Sequence, residues 1–249
     1  TVSDEPLKHI STLADELELN IHMHIHETAF EVSEAEKNNG QRPLSRLNEL
    51  GLLTPSLQAV HMTQLLDNEI ALLASSGSHV IHCPESNMKL ASGICPINQL
   101  LNAGINVALG TDSSSSNNDL DMFGEMRSAA MLGKVVARDA SAVNAIQALH
   151  MATMGGAKAL GLDTHIGSLE TGKAADITAI NLSTLETQPL FNPVSQLVYA
   201  AGREQVSDVW VAGQHLLKDR VLTTLDQQAI VTKAQQWGKK IQQADQHPD

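Results

Sequence analysis

The chain has 249 residues, of which 42% are hydrophobic and 2% aromatic, and its formal net charge is −12. This length and apolar content predict one large domain, or a domain and a half, with an aliphatic core. The acidic charge, with no basic cluster or set of base-stacking aromatic residues, argues against nucleic acid or an anionic membrane as a partner. No apolar run reaches the ~18 residues of a membrane span.

The cysteines and the first residues bear on location. Cys83 and Cys95 are too few for a disulfide framework and are typical of small core residues in a reducing compartment, which predicts a cytoplasmic protein. The chain begins TVSDEP, with neither a methionine nor a signal-peptide pattern. We therefore expect it to start inside a longer protein.

Helical and strand patterns alternate along the first half of the chain. A polar, titratable side chain lies near the carboxyl end of each strand, the edge that carries the chemistry in parallel α/β barrels. The alternation predicts an α/β fold, the C-terminal half of a (β/α)8 TIM-like barrel, although four strands cannot close a barrel. The predicted strands cover 19–26, 57–60, 79–82 and 105–109. The predicted helices cover 3–17, 31–39, 43–50, 64–75, 96–103 and 120–136. A long loop is predicted over 85–96.

The pattern changes in the second half of the chain. Short segments with turn signals follow a helical pair and predict a small β module. The predicted elements are helices over 142–149 and 153–160, strands over 166–172, 176–180, 206–211 and 215–217, and a glutamine-rich helix over 226–244. The predicted domains are a partial barrel at 1–165, a β domain at 166–225, and a C-terminal helix and tail at 226–249.

The first predicted strand concentrates imidazoles. Its alternating sequence, LNIHMHIH, places His22, His24 and His26 on one face, and Glu27 follows directly. Such a cluster favours a metal or catalytic role over a structural one. A hydrolytic metal site needs imidazole and carboxylate ligands and one open position. His24 and Asp112, at separate strand ends, can supply two ligands.

Two further side chains at the strand ends can handle protons. His61 can hydrogen-bond the attacking water, and Glu27 can project over the site as a proton carrier. Because His24 and Asp112 are only two ligands, the set is at least two short of a tight metal site.

Several motifs resemble the amidohydrolase superfamily: HIHET at 24–28, VH at 60–61, HCPESNMKLASG at 82–93 and LGTDSSSSNNDLDMFGEMR at 109–127. GSLETGKAADI at 167–177 is similar to the junction between barrel and β-sandwich in that superfamily. The resemblance covers essentially the whole chain. Within the superfamily it is greatest to the 5′-methylthioadenosine/S-adenosylhomocysteine deaminases, whose branch also contains triazine chlorohydrolases and guanine deaminases.

The resemblance implies a role for each matching residue. His24 and Asp112 become metal ligands on the fifth and eighth barrel strands, with zinc as the default metal and iron, manganese or nickel as alternatives. Glu27 becomes the carboxylate that protonates a purine ring nitrogen, and His61 orients or polarises the attacking water. Asp112 is also the base that takes the proton of the water and passes it to the leaving amine.

A second group of residues matches the loops around this site. His82, Ser86 and Asn87 match a pocket-lining loop, for which substrate contact and loop shaping are both open. Asn117, Asn118 and Glu125 are expected to brace the Asp112 loop, whereas His22 and His26 match no ligand of the family.

One departure from the family pattern stands out. The family binds its metal with an H-x-H pair on the first barrel strand, and no such strand precedes 19–26. The chain is therefore expected to need an N-terminal portion to complete the barrel and the metal site.

The function predicted from these motifs is metal-dependent hydrolytic deamination of an adenine nucleoside thioether to the inosine analogue and ammonia. One alternative is a related hydrolase, such as a triazine chlorohydrolase or a guanine deaminase. The other is a non-catalytic truncated paralogue or subunit. The expected partner is a small-molecule nucleoside, and family members often form homo-oligomers.

Overall fold

The structure is a computed structural model that describes residues 2–245. Its residues form two compact units. The first comprises the chain up to Lys173 together with Leu182–Glu204, and the second comprises Ala174–Asn181 together with the chain from Gln205. Within residues 2–245, no helix is both long enough and apolar enough to cross a membrane.

A four-stranded parallel sheet is the centre of the first unit. Its strands follow one another in chain order, β1-β2-β3-β4, so each strand returns through a helical crossover to lie beside its predecessor. The four strand predictions and their parallel alternation with helices are confirmed. The strands are β1 (Ile21–Ile25), β2 (Leu57–His61), β3 (His79–His82) and β4 (Val107–Leu109).

Helices cover this sheet and close its aliphatic core. All five residues of β2 are buried, and the core includes Leu57, Val80, Val107 and Leu100. Each such aliphatic side chain stabilises the fold by about 1.5–3 kcal/mol relative to exposure. The helices are α1 (Asp4–Glu16), α2 (Ala29–Asn39), α3 (Pro43–Glu49), α4 (Asp67–Ser76), α5 (Pro84–Lys89), α6 (Ile97–Asn102), α7 (Met122–Ala137), α8 (Ala145–Ala152), α9 (Met154–Ala159) and α10 (Pro193–Tyr199).

Two of these helices were not predicted. The segment expected to be a loop over 85–96 contains α5, which Pro84 begins from the first helical position, where a missing N–H costs nothing. Helix α10 begins the same way at Pro193, and the Asn192 side chain caps it by accepting from the Ser195 N–H. The sequence signal for the start of each helix is a proline that follows a non-helical residue.

The prediction of a strand over 166–172 is wrong. In place of a strand, the segment is a loop held by the Lys173 ammonium, which donates to the Asp163 carbonyl oxygen at 2.6 Å and to Ser168 Oγ at 2.7 Å. Gly167 and Gly172 take positive φ values of 92° and 97°, which a pleated strand does not contain.

The second unit contains an antiparallel sheet of order β5-β6-β7-β8 and a long helix. The strands predicted over 176–180, 206–211 and 215–217 and the helix predicted over 226–244 are all present. Their bounds are β5 (Ile177–Ile180), β6 (Val206–Val211), β7 (Gln214–Lys218), β8 (Val221–Leu222) and α11 (Gln227–Asp245).

The compact units divide the chain differently from the predicted boundaries at 165 and 225. Helix α10 belongs to the first unit because it packs against α7 and α8 and buries Val198 completely. The Arg127 guanidinium fixes that packing by donating to the carbonyl oxygens of Val198 and Ala201. Residues 1 and 246–249 of the predicted domains lie outside the described residues.

Two adjacent glycines of α9 allow a matched test of this packing. A Cβ at Gly155 would lie 2.5 Å from the Val107 carbonyl oxygen of β4, whereas a Cβ at Gly156 would meet nothing within 4 Å. We expect Gly155→Ala to lower the free energy of unfolding by about 2 kcal/mol, because the helix must move off the strand. Gly156→Ala is expected to be neutral or stabilising by up to ~1 kcal/mol. Urea unfolding of both variants tests this, and equal stabilities would contradict the close contact.

Candidate active site

The chain turns sharply where β1 ends and carries Glu27 over the carboxyl edge of the sheet. His26 has a left-handed φ of 54°, and Thr28 then caps α2 by accepting the Glu31 N–H at 3.1 Å. The Glu31 carboxylate accepts the N–H groups of His26 at 3.1 Å and of Glu27 at 2.7 Å. His24, just before the turn, is exposed, and Glu27 is half-buried.

The end of β2 places a buried imidazole beside them. His61 is completely buried with a φ of 74°, a conformation that costs a non-glycine residue about 1–3 kcal/mol and is typical of functional sites. Its Nδ1 lies 2.8 Å from Asn87 Oδ1. Because that oxygen can only accept, Nδ1 carries the proton and Nε2 presents a lone pair. Among the described residues Nε2 has no hydrogen-bond partner.

The lone pair of His61 faces two carboxylates. Nε2 lies 3.8 Å from Glu27 Oε2 and 4.0 Å from Asp112 Oδ2. The ring of His24 meets the His61 ring edge-on, with 4.8 Å between centroids. The structure therefore brings together four residues that the sequence placed at the ends of three different strands: His24, Glu27, His61 and Asp112.

Asp112 follows β4 and is held as a carboxylate. Its φ of 62° is again left-handed. Burial opposes ionisation, but three hydrogen bonds outweigh it and hold the pKa of Asp112 below its ordinary value. Oδ2 accepts from Ser86 Oγ at 2.6 Å and from Ser116 Oγ at 3.0 Å, and Oδ1 accepts the Ser113 N–H at 2.6 Å. Asp112 is thus ionised, oriented and available as a metal ligand or base.

Two of the three residues predicted to line the pocket, Ser86 and Asn87, hold Asp112 and His61 in place. Ser86 donates to Asp112, and Asn87 accepts from His61, from positions on α5 that are at most 1% exposed. Both ring nitrogens of buried His82 lack a partner within residues 2–245. Burial, with a smaller contribution from His61, lowers the pKa of His82 to about 3, so His82 is neutral at physiological pH.

A buried carboxylate braces the loop that follows Asp112, as the sequence predicted. Glu125 Oε1 accepts from Asn117 Nδ2 at 2.5 Å, and Oε2 accepts the Glu85 N–H at 3.2 Å. Burial raises the pKa of Glu125 to about 8. Lys89 holds the outer side of the loop by donating to the Ser115 carbonyl oxygen and to Asn118 Oδ1.

The two histidines expected to lack a function have structural partners. His22 Nδ1 lies 2.8 Å from Gln58 Oε1. His26 is completely buried, and its Nε2 accepts the Leu44 N–H at 3.2 Å. Its other nitrogen lies 3.8 Å from Glu69, which Arg42 neutralises with two hydrogen bonds.

Two residues that the sequence analysis did not single out also hold Glu27. Thr63 Oγ1 donates to the Glu27 carbonyl oxygen at 2.7 Å, and Ser92 Oγ donates to Glu27 Oε1 at 3.3 Å. Gly93 is the signal that sequence reading could have used. Its φ is 137°, and a Cβ there would lie 2.7 Å from Thr63 Oγ1.

The donor set fits a divalent metal. One potential ligand atom from each of His24, Glu27 and His61 lies within 4.8 Å of the others, the only such group of three found among the described residues. Imidazole and carboxylate are the ligands of catalytic zinc, and the unpartnered lone pair of His61 is a free donor. A groove of about 730 Å³, lined by His24, Glu27, Phe30 and Arg46 among others, adjoins the group.

Comparison with known proteins identifies the family. Residues 1–216 match the amidohydrolase family, and the chain belongs to that family. A 5-methylthioadenosine/S-adenosylhomocysteine deaminase of Teredinibacter turnerae is 55% identical over 97% of this chain and 54% of its own length. The chain therefore spans about half the length of the curated relatives it matches.

Two solved structures share the fold. An adenosine deaminase from Xanthomonas campestris with bound zinc is 53% identical, with a TM-score of 0.96 over 98% of this chain and 55% of that one. An atrazine chlorohydrolase from Arthrobacter aurescens complexed with zinc is 26% identical, with a TM-score of 0.88 over 93% of this chain and 51% of that one.

Proposed function

We propose that this chain is the C-terminal part of a metal-dependent deaminase of adenine nucleoside thioethers, 5′-methylthioadenosine and S-adenosylhomocysteine. The observation that carries the proposal is the convergence of His24, Glu27, His61 and Asp112 at one edge of the parallel sheet. The identity with a relative named for that reaction supports the substrate class. The reaction adds one water at purine C6 and releases ammonia and the inosine analogue.

In this proposal the four parallel strands are strands five to eight of a (β/α)8 barrel. The antiparallel sheet is part of a composite β-sandwich, and further chain supplies the rest of both. A cytoplasmic location and assembly into a homo-oligomer stay predictions.

His24 and Asp112 would hold the metal. Zinc is the preferred ion because the two solved relatives contain it and the donors are imidazole and carboxylate. When bound, a divalent metal supplies a Lewis acid that makes water nucleophilic near neutral pH. The close grouping of His24 with Glu27 and His61 supports a metal at this edge.

The remaining chemistry consists of proton transfers by side chains. Glu27 protonates a purine ring nitrogen, which makes C6 electrophilic. His61 uses the lone pair on Nε2 to orient the attacking water, since Asn87 keeps the proton on Nδ1. Asp112 takes the proton of the water and delivers it to the departing ammonia.

We also propose that the loop after β3 contributes to the substrate pocket. Ser86 donates to Asp112 and Asn87 accepts from His61, which supports a place for this loop beside the substrate. The unpartnered amide nitrogen of Asn87 and ring nitrogens of His82 are the atoms of this set with free capacity for a ligand among the described residues.

A related hydrolase is the second candidate, favoured by the likeness to an atrazine chlorohydrolase. Glu27 favours deamination because a donor to a ring nitrogen suits an aminopurine. The non-catalytic alternative would not need an ionised Asp112 in a strained conformation beside an unpartnered imidazole.

A product assay on the complete protein separates these candidates. We expect it to release ammonia from 5′-methylthioadenosine and S-adenosylhomocysteine, to release less from adenosine and guanine, and to release no chloride from atrazine. Removing the metal with a chelator is expected to abolish release, and adding zinc is expected to restore it. Chloride release without deamination would establish the hydrolase alternative, and a metal-loaded protein with no product would support the non-catalytic one.

A further inference from the structure

The Glu31 side chain departs from the usual capping box of a helix. In that motif the third helical residue accepts the N–H of the N-cap residue, here Thr28. Thr28 plays its part by accepting the Glu31 N–H. The Glu31 carboxylate, however, reaches one and two residues further back, to the N–H groups of Glu27 and His26.

These two bonds act on a strained turn. His26 has a φ of 54°, so the backbone reverses there and Glu27 leaves the line of β1. Both bonds are charge-assisted, and the one to Glu27, at 2.7 Å, is at the short end of the usual range. One anion therefore holds both N–H groups of the turn that directs the Glu27 side chain.

The other contacts of Glu27 do not replace this one. Thr63 holds the Glu27 carbonyl oxygen at 2.7 Å, and Ser92 holds one carboxylate oxygen at 3.3 Å. Oε2 then faces His61 Nε2 at 3.8 Å. Among the described residues, Glu31 alone binds the backbone N–H from which this side chain leaves the turn.

We propose that Glu31 is a positioning residue for Glu27: its two carboxylate oxygens bind the His26 and Glu27 N–H groups and so fix the Glu27 carboxylate over the reacting ring. This inference rests on the role of Glu27 in the proposed function. Glu31 touches neither metal nor substrate in this assignment. Its effect is on the chemical step, because a small misplacement of a proton donor is costly.

The test compares two isosteric variants of one helix in the complete enzyme. Glu31→Gln keeps the shape but offers one acceptor in place of two. Glu36→Gln makes the same change of charge five residues further along α2, where the side chain is exposed and does not line the groove beside the site. With 5′-methylthioadenosine, we expect Glu31→Gln to lower kcat about tenfold and to change KM and bound metal by less than about twofold. Glu36→Gln is expected to leave all three unchanged.

Crystal structures of the two variants give a readout that does not need activity. We expect the Glu27 carboxylate to turn away from His61 in Glu31→Gln and to keep its place in Glu36→Gln. An unmoved Glu27, equal kcat values for the two variants, or a loss of kcat that follows a loss of metal would each overturn it. If the wild-type enzyme releases no ammonia, the proposed function fails, while the crystal structures still decide whether Glu31 orients Glu27.

Discussion

Replacing Asp112 by asparagine is expected to lower deaminase turnover of the complete enzyme by about 10³-fold or more. Asparagine is nearly isosteric, but its amide cannot take a proton from water and is a poor metal ligand. Its NH₂ group would also meet a donor, either the Ser86 hydroxyl or the Ser113 N–H, where the carboxylate accepts from both. The loss is expected in kcat and in metal content, measured by ammonia release and by elemental analysis.

Asp119→Asn is the control for this substitution. Asp119 lies in the same loop, but its carboxylate is exposed and pairs with Arg203 at 3.6 Å. Exposed ion pairs contribute about 0–1 kcal/mol, so we expect this variant to keep both turnover and metal. Near-normal turnover by Asp112→Asn would remove Asp112 from the mechanism.

The second large effect is expected from Glu27→Gln, with a fall in kcat of about 10³-fold. The glutamine side chain occupies the same volume and can still accept from Ser92, but it cannot donate and regain a proton at the purine ring. Because the metal is assigned to His24 and Asp112, the variant is expected to keep its zinc. Ammonia release and metal content are measured on the same preparation.

The metal content makes this variant informative in a second way. Glu27 groups with His24 and His61 closely enough to be a ligand itself. Loss of zinc from Glu27→Gln would therefore show that Glu27 binds the metal, and full turnover would show that it does not carry the proton. Either result contradicts the role proposed here.

The sequence alone predicts the repeating part of the fold, in which parallel strands alternate with helices. The alternation of strands and amphipathic helices predicts four parallel strands, because a strand that returns through a helical crossover lies parallel to its predecessor. The same pattern locates His24, His61, His82 and Asp112, since all four follow from where strands end. Local patterns of this kind do not depend on distant contacts.

The parts that failed depend on contacts that no periodic pattern encodes. The sequence predicts a short strand over 166–172, yet Lys173 holds the segment as a loop by donating to the Asp163 carbonyl oxygen. Helix α10 belongs to the first unit because it packs against α7 and α8 and because the Arg127 guanidinium donates to the Ala201 carbonyl oxygen just after it. Short helices carry little periodicity, so proline starts are their main sequence signal.

The site shows the same division. Residue types predict which side chains can bind a metal or move a proton, but not which side chain orients them. Three such contacts are visible only in the structure. Asn87 accepts from His61, and Ser92 donates to Glu27. Glu31 binds backbone N–H groups that precede its own N-cap residue. Left-handed conformations at His26, His61 and Asp112 change the direction of those side chains, and the sequence does not indicate which histidines and aspartates adopt them.

X-ray diffraction at the zinc absorption edge, on crystals of the complete enzyme, tests most directly whether these side chains form one metal-dependent centre. We expect the anomalous peak to lie within bonding distance of His24 and of the Asp112 carboxylate, with Glu27 and His61 beside the metal and not bonded to it. A metal bonded to His24, Glu27 and His61 with Asp112 turned away would contradict the assigned ligands. A zinc-loaded crystal with no metal at this edge would contradict the centre itself.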